Sequence, residues 1–338
     1  MTNVSSVLLN GTNNITSQMN LSSQGGVTTG TYTQTNRFPS SSTQNLTITV
    51  NTSLGQSITF SNMVLSVPNY FVMPASYRLD PAAVSTPGFK VDVYETTAAN
   101  PNTVLWTEEQ LLGLHGPNLA DTNVAQSWAG VIDFDNGQSA GNFANNTPFS
   151  ELGLGVNPEK ANTDNITAEF TTYVNFPTAG EYEMVVNSDD GFLVSTARNP
   201  QDRLGDRIFE VSFGRGISTG VDAGPIQRII VDQPGVYPLR LLFENGGGGA
   251  GVEWYTRQGT NLTLINDTAP EALKAFQNAT SSAAYVSRTS PIRGSTGVSP
   301  LSPISVTIND GDRRVNESTV AMTVNGAASQ PTVTRAGT

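Results

Sequence analysis

Two stretches of the chain gather hard oxygen donors. Asn187-Ser188-Asp189-Asp190-Gly191-Phe192 carries adjacent carboxylates, and further along Glu244-Asn245 leads into Gly246-Gly247-Gly248-Gly249 ahead of Trp254. Calcium takes carboxylate, Asn carbonyl and backbone carbonyl oxygens in flexible geometry. Asp189, Asp190, Asn245 and the carbonyls of Gly247 and Gly249 are therefore candidate metal ligands. Successive side chains of a strand point to opposite faces, so one ion shared by Asp189 and Asp190 requires a distorted backbone between them. A non-proline cis peptide is one such distortion. The glycines leave their carbonyls free to reorient and leave room for a ligand to approach the backbone. The same residues also read as a hairpin, because Asp-Gly is a strong turn signal.

A wider frame surrounds these residues. Tyr182-Glu-Met-Val-Val-Asn-Ser-Asp-Asp-Gly-Phe192 follows Ala179-Gly180, and Gly235-Val-Tyr-Pro-Leu-Arg-Leu-Leu-Phe-Glu-Asn245 comes later. Together they resemble the protective-antigen-type β-barrel domain, the lectin-like module of yeast flocculins, bacterial toxins and secreted glycosidases. The resemblance spans residues 70 to 280. It implies that Asp189, Asp190 and Asn245 hold calcium, and that the calcium in turn coordinates sugar hydroxyls. Flocculin-type members carry a hydrophobic residue and a Trp close after the Asn, whereas glycines fill that loop here and Trp254 lies further on.

The rest of the chain must position this pair of motifs. Its 338 residues are long enough for two or three domains. Ser, Thr, Asn and Gly abound while only 13% of residues are charged, a composition expected of an exported β-rich protein. A formal charge of -11 argues against nucleic-acid backbones and anionic membranes as partners and suits a surface that collects cations. Cysteine is absent, which excludes zinc-thiolate sites, iron-sulfur clusters, disulfides and cysteine nucleophiles. No apolar run is long enough for a membrane-spanning helix. Met1-Thr-Asn-Val-Ser lacks the basic-then-apolar pattern of a signal peptide, so a removed signal or an excised fragment is expected.

The expected fold class is all-β: an antiparallel β-sandwich or barrel as central domain, with flanking strand segments and a partial immunoglobulin-like sandwich. Residues 1–66 read as a β-rich arm or small domain, with strands at Leu46–Val50 and Ser57–Phe60. The first thirty residues are either disordered or paired with another subunit's sheet. Residues 67–285 form the lectin-like domain, with strands at Phe89–Tyr94, Ala168–Phe176, Tyr182–Val186, Arg228–Val231 and Pro238–Phe243. Helices are expected at Trp106–Leu112 and at Thr268–Phe276, where Thr268 and Glu271 fit a capping box. Residues 286–302, rich in Gly and Pro, read as a linker. Two alternating strands within 303–338 look like the opening of an immunoglobulin-like repeat of a large exported bacterial protein, with edges left to pair with a neighbour or with further chain.

Other chemistry is thinly represented. His115 is the sole histidine and has no nucleophile motif beside it, so a structural role is expected. Asp133-Phe-Asp135-Asn-Gly137 starts like an EF-hand loop, but its glycine comes one place early and Ala144 stands where a bidentate Glu is needed; it reads as a turn. Asp202, Arg203, Asp206 and Arg207 read as a solvated ion-pair network. Adjacent Asp189 and Asp190 cannot straddle a glycosidic bond as acid and nucleophile, and no catalytic constellation is found. By strand parity Trp254 belongs to the core, and Tyr255 on the opposite face is the candidate sugar platform. Asn-x-Ser/Thr sequons are numerous, which makes a glycoprotein an open expectation.

These readings combine into a non-catalytic extracellular or cell-surface module for adhesion, stabilised by calcium and binding a glycan or surface polysaccharide. The sugar is expected against Asp190, Asn245, Gly246, Gly248 and Tyr255. Two alternatives remain: a structural subunit of a fibre, filament, surface layer or matrix that self-assembles through N- or C-terminal strands, and an accessory region of a secreted enzyme.

Overall fold

A computed structural model describes residues 4–24, 27–33, 37–124 and 127–336. The chain is all-β apart from one α-helix and short 3-10 turns among the described residues. They form two compact units divided between Phe71 and Val72, five residues beyond the expected boundary.

The first unit is built on a four-stranded antiparallel sheet in the order Asn13–Asn14, Val4–Leu9, Ser42–Thr52, Ser57–Val67. Val4–Leu9 pairs with Ser42–Thr52, so the strand in the first thirty residues finds its partner within its own chain. A separate ribbon pairs Met19–Gln24 with Val27–Tyr32.

The second unit is a sandwich of two sheets. One runs Ser127–Trp128, Phe89–Glu95, Ile166–Phe176, Gly235–Asn245, Phe192–Thr196, Asp206–Val211. The other includes Thr147–Pro148, Asp133–Asp135, Gly251–Gln258, Gly180–Asp189 and Ile226–Val231. Ring pairs between the sheets fill the core: Phe89 against Trp254 at 6.0 Å, Phe134 against Phe170 at 6.0 Å, and Phe176 against Tyr182 at 5.0 Å between centroids. All five strands expected in this domain form, each longer than its apolar pattern alone marks.

The helix near Trp106 forms as Val104–Leu111. Thr103 caps it by accepting from the Trp106 amide, and Ser212 Oγ accepts from the Val104 amide. The helix expected over Thr268–Phe276 does not form. Asp267 accepts from the Ala269 amide in a turn, and Lys274–Ala279 is a strand paired with Ile166–Phe176. Its buried Ala275 and Gln277 alternate with half-buried neighbours, a period-two pattern that tertiary pairing favours over the cap signal.

Beyond this sandwich, Tyr285–Ser290 lies, from its second residue on, in the stretch expected to be a linker, yet it is a strand paired with Ser305–Asn309. Met322–Val324 pairs with Ala327–Ser329. Among the described residues the C-terminal segment thus holds two separate two-stranded ribbons, where the opening strands of one immunoglobulin-like sandwich are expected. Arg203 departs from the expected solvated network: it turns inward to Glu108, while Arg207 pairs with Glu210 at 2.6 Å.

Candidate ligand-binding site

Two sheet crossovers running in opposite senses meet at one end of the sandwich. Gly180–Asp189 ends in one sheet, and Asp190-Gly191 carries the chain into Phe192–Thr196 of the other. Gly235–Asn245 ends in that second sheet, and Gly246 to Ala250 returns the chain to Gly251–Gln258 in the first. Pairing locks the crossovers in register: Asp189 lies opposite Gly251, and Phe192 opposite Phe243. The Asp190 amide donates to the Glu244 carbonyl at 3.2 Å, and the Glu244 amide to the Gly191 carbonyl at 3.1 Å.

The Asp189-Asp190 peptide is cis. The two carboxylates sit at opposite ends of the glycine loop. Asp190 Oδ2 accepts from the Gly246 amide at 3.1 Å, while a methyl group on Gly249 would come within 2.6 Å of Asp189 Oδ2 and collide with the Gln138 amide. Between these ends the loop leans the other way. The Gly248 amide donates to Asp164 Oδ1 at 3.0 Å, the Gly248 carbonyl accepts from Asn136 Nδ2 at 3.0 Å, and Gly247 lies beside Asp164. Gly248 has φ of +85°, which favours glycine there.

Asn245 is fully buried. Its amide nitrogen donates to the Thr163 carbonyl at 2.7 Å, and its Oδ1 has no protein partner. Glu244 is also buried, and burial together with the charge of Asp190 pushes its carboxyl up to about 8, against the lowering pull of the Gly191 amide and the Asn100 side chain. Burial and the like charge of Asp190 push Asp189 up to about 6. Each shift records a shortage of positive charge at this end of the sandwich.

Among the described residues no group of three or more His, Cys, Asp or Glu side chains gathers to hold a metal ion. A hard cation here would rest on two carboxylates supplemented by amide and backbone oxygens. The donor set fits calcium in three respects: every donor is oxygen, Asn245 Oδ1 is an orphaned buried acceptor, and the Asp189 carboxyl stays raised although the Gln138 amide and the Arg215 charge act to lower it. Both Asp190 oxygens already accept backbone hydrogens, from Gly246 and from Arg215 at 2.9 Å, and each retains a lone pair for an ion.

Tyr255 is not a platform. Parity places it opposite Trp254 as expected, but that face is covered as well. The ring is buried against Val185, Leu264 and Phe143; its hydroxyl donates to the Ala223 carbonyl at 2.7 Å and accepts from Asn142 at 3.1 Å. His115 stacks on Trp106 at 3.4 Å and bonds Glu109, a local packing contact. Asp133 and Asp135 accept backbone amides of the loop that follows them, forming the turn expected there.

Two site residues escaped the sequence reading. Asn102 lies between the crossovers: methyl groups placed on Gly246 or Gly214 would strike its side-chain oxygen and nitrogen respectively. Arg215 donates through its backbone to Asp190 and through Nη1 to the Ser188 carbonyl at 2.7 Å. The available signal was Gly214-Arg215-Gly216, an arginine between glycines that marks a close backbone approach.

No protein-family model and no curated protein matches the chain. Solved structures do. The Epithelial Adhesin 9 A domain from Candida glabrata, in complex with Galb1-3GlcNAc, is 16% identical with a TM-score of 0.40 over 60% of this chain and 94% of that one. The PA14 sugar-binding domain from an RTX adhesin is 15% identical with a TM-score of 0.36, covering 54% of this chain and 96% of that one. The PA14 domain of the MpAFP antifreeze protein is 14% identical with a TM-score of 0.38, covering 57% and 92%.

Proposed function

We propose that this chain is a non-catalytic carbohydrate-binding module of a surface adhesion protein, with its sugar held through calcium at the paired crossovers. The observation that carries this reading is the orphaned Oδ1 of Asn245, the residue that leads into a glycine loop whose ends approach Asp190 at Gly246 and Asp189 at Gly249. Asp189, Asp190 and Asn245 would hold the ion. Bound calcium supplies open coordination positions for vicinal sugar hydroxyls. The chain's own residues set the rest: Gly246 and Arg215 fix Asp190 through their amides, and Gly248 in the middle of the loop faces open space where a side chain would begin. An extracellular setting agrees with millimolar-range calcium sites in exported modules.

Thermal unfolding with calcium or chelator, together with a glycan array under both conditions, tests this. Calcium at a hundredfold excess over Kd should stabilise the native state by about 2.7 kcal/mol, and Asp190→Ala should lose both that gain and glycan capture. Identical melting with calcium and with chelator overturns the metal site; calcium stabilisation without glycan capture overturns the sugar-binding reading alone.

A further inference from the structure

The sheet of the first unit has two chemically different faces. Cross-strand partners share a face, so the register sorts the side chains. Val7, Val50 and Ile58 form one row, Leu9, Ile48 and Phe60 a second, and Leu46 with Met63 a third, all on one side. An extra residue in the outer strand keeps Met63 and Leu65 on this side. Ser6, Asn51 and Ser57 form a row on the other side, as do Leu8, Thr49 and Thr59. That face is largely polar and satisfies itself: Asn51 donates to Ser6 Oγ at 2.8 Å, Ser57 Oγ donates to Asn51 at 2.7 Å, and the Thr49 and Thr59 hydroxyls meet at 3.1 Å.

The apolar face is only partly covered. Val7 is buried, but Ile58 is 52%, Phe60 56% and Leu65 41% exposed. A sheet with one apolar face is stable when a second layer packs on it at about 10 Å. Charge selects what that layer is. Residues 1–71 contain one charged side chain, Arg37, whereas the remaining residues hold 28 acidic against 16 basic side chains. Two copies approaching by other surfaces therefore meet like charge, and through this face they meet almost none. Two strands of 11 residues and one of 6, about 4.8 Å apart, present a face whose stacking hides on the order of 1,000 Å² in total, the area a biological interface must clear.

We propose that this face is a self-association surface, on which a second copy of the same chain stacks its identical sheet to complete a two-layer sandwich. The strand in the N-terminal segment is not exchanged, since Val4–Leu9 is already paired. Two ligand sites would then act together on one polymeric glycan, with the avidity of linked sites.

Sedimentation velocity on the full chain over a concentration series is the test. The wild type should pass from monomer to dimer in mass, and Ile58→Glu with Phe60→Glu should remain monomeric. Val64→Glu, on the largely polar face opposite Met63 and Leu65, should dimerise like the wild type. Because the chain has no cysteine, Phe60→Cys and Val64→Cys supply a second readout: a short bifunctional maleimide should cross-link the first into dimers and leave the second monomeric. A wild type that stays monomeric at its highest soluble concentration, or equal cross-linking at both positions, overturns the proposal.

Discussion

Buried carboxylates occupy two places in the sandwich and meet opposite fates. On the outer side of one sheet, Arg240 is 1% exposed and donates to Glu108 at 2.9 Å and to Glu169 at 2.5 Å; Arg203 also pairs with Glu108. Burial would raise the Glu108 carboxyl, but Arg240 and Arg203 outweigh it and hold it below the usual range. At the crossovers Glu244 and Asp189 are raised, because burial and the neighbouring Asp190 act in the same direction. The first cluster is complete within the protein. The second is short of positive charge, and that separates a structural ion cluster from a place for a ligand.

The largest expected effect breaks the complete cluster. Arg240→Ala leaves two buried carboxylates, Glu108 and Glu169, to share Arg203, which lies 4.0 Å from Glu169, and should cost about 3–5 kcal/mol in denaturant unfolding. A loss below about 1 kcal/mol would mean that the carboxylates are hydrated, and the contrast would fail.

The pH dependence of the two regions should run in opposite directions. Glu108 is depressed in the folded state, so its contribution disappears as pH falls through its folded value. Asp189 and Glu244 are raised, so the native state holds their protons more tightly than the unfolded chain. Stability of the chelated protein should then decline as pH rises through about 6 and about 8. Calcium should flatten that decline. Melting temperatures between about pH 4 and about pH 8 with chelator and with calcium check it; a chelated protein whose stability does not fall across that range would leave the crossover acids compensated.

The smallest effect resolves the loop itself. Gly249→Ala pushes a methyl group onto Asp189 Oδ2 and the Gln138 amide, and it should weaken calcium binding about tenfold in calorimetry, equivalent to about 1.4 kcal/mol. Gly247→Ala meets only Asp164, at 3.3 Å, and should leave calcium affinity within about twofold. Equal losses at both positions would show that loop flexibility, and not the approach to Asp189, sets the affinity.

Strand existence was legible in the sequence because alternation is local. Phe89–Glu95 buries Phe89, Val91, Val93 and Glu95 on one side, and its apolar letters show this directly. The crossovers were legible as motifs, since Asp-Asp-Gly and the glycine run are local too. What failed depended on coverage from afar. Tyr255 has the parity of an outward residue, and the loops bearing Asn142, Phe143 and Ala223 help to bury it. Thr268 and Glu271 carry a helix-start signal, but the pairing of Lys274–Ala279 with Tyr173 to Asn175 decides that segment. Arg215 reaches Asp190 and Asn102 reaches Gly246 from distant positions, and no spacing in the chain encodes such meetings.

Asn102 and Glu108 also belong to one short run of chain. Asn102 is wedged between Gly214 and Gly246, and Glu108 is fixed on Arg240. Surface connections usually absorb insertions readily, but this one is a ruler with both ends nailed down. One added residue would displace an anchor by about 3.3 Å or turn the helix by about 100°. Length changes are therefore expected to be shunned between Asn102 and Glu108 while remaining acceptable elsewhere on the rim, so the ion cluster in the sheet dictates how far the ligand site can drift as the sequence diverges.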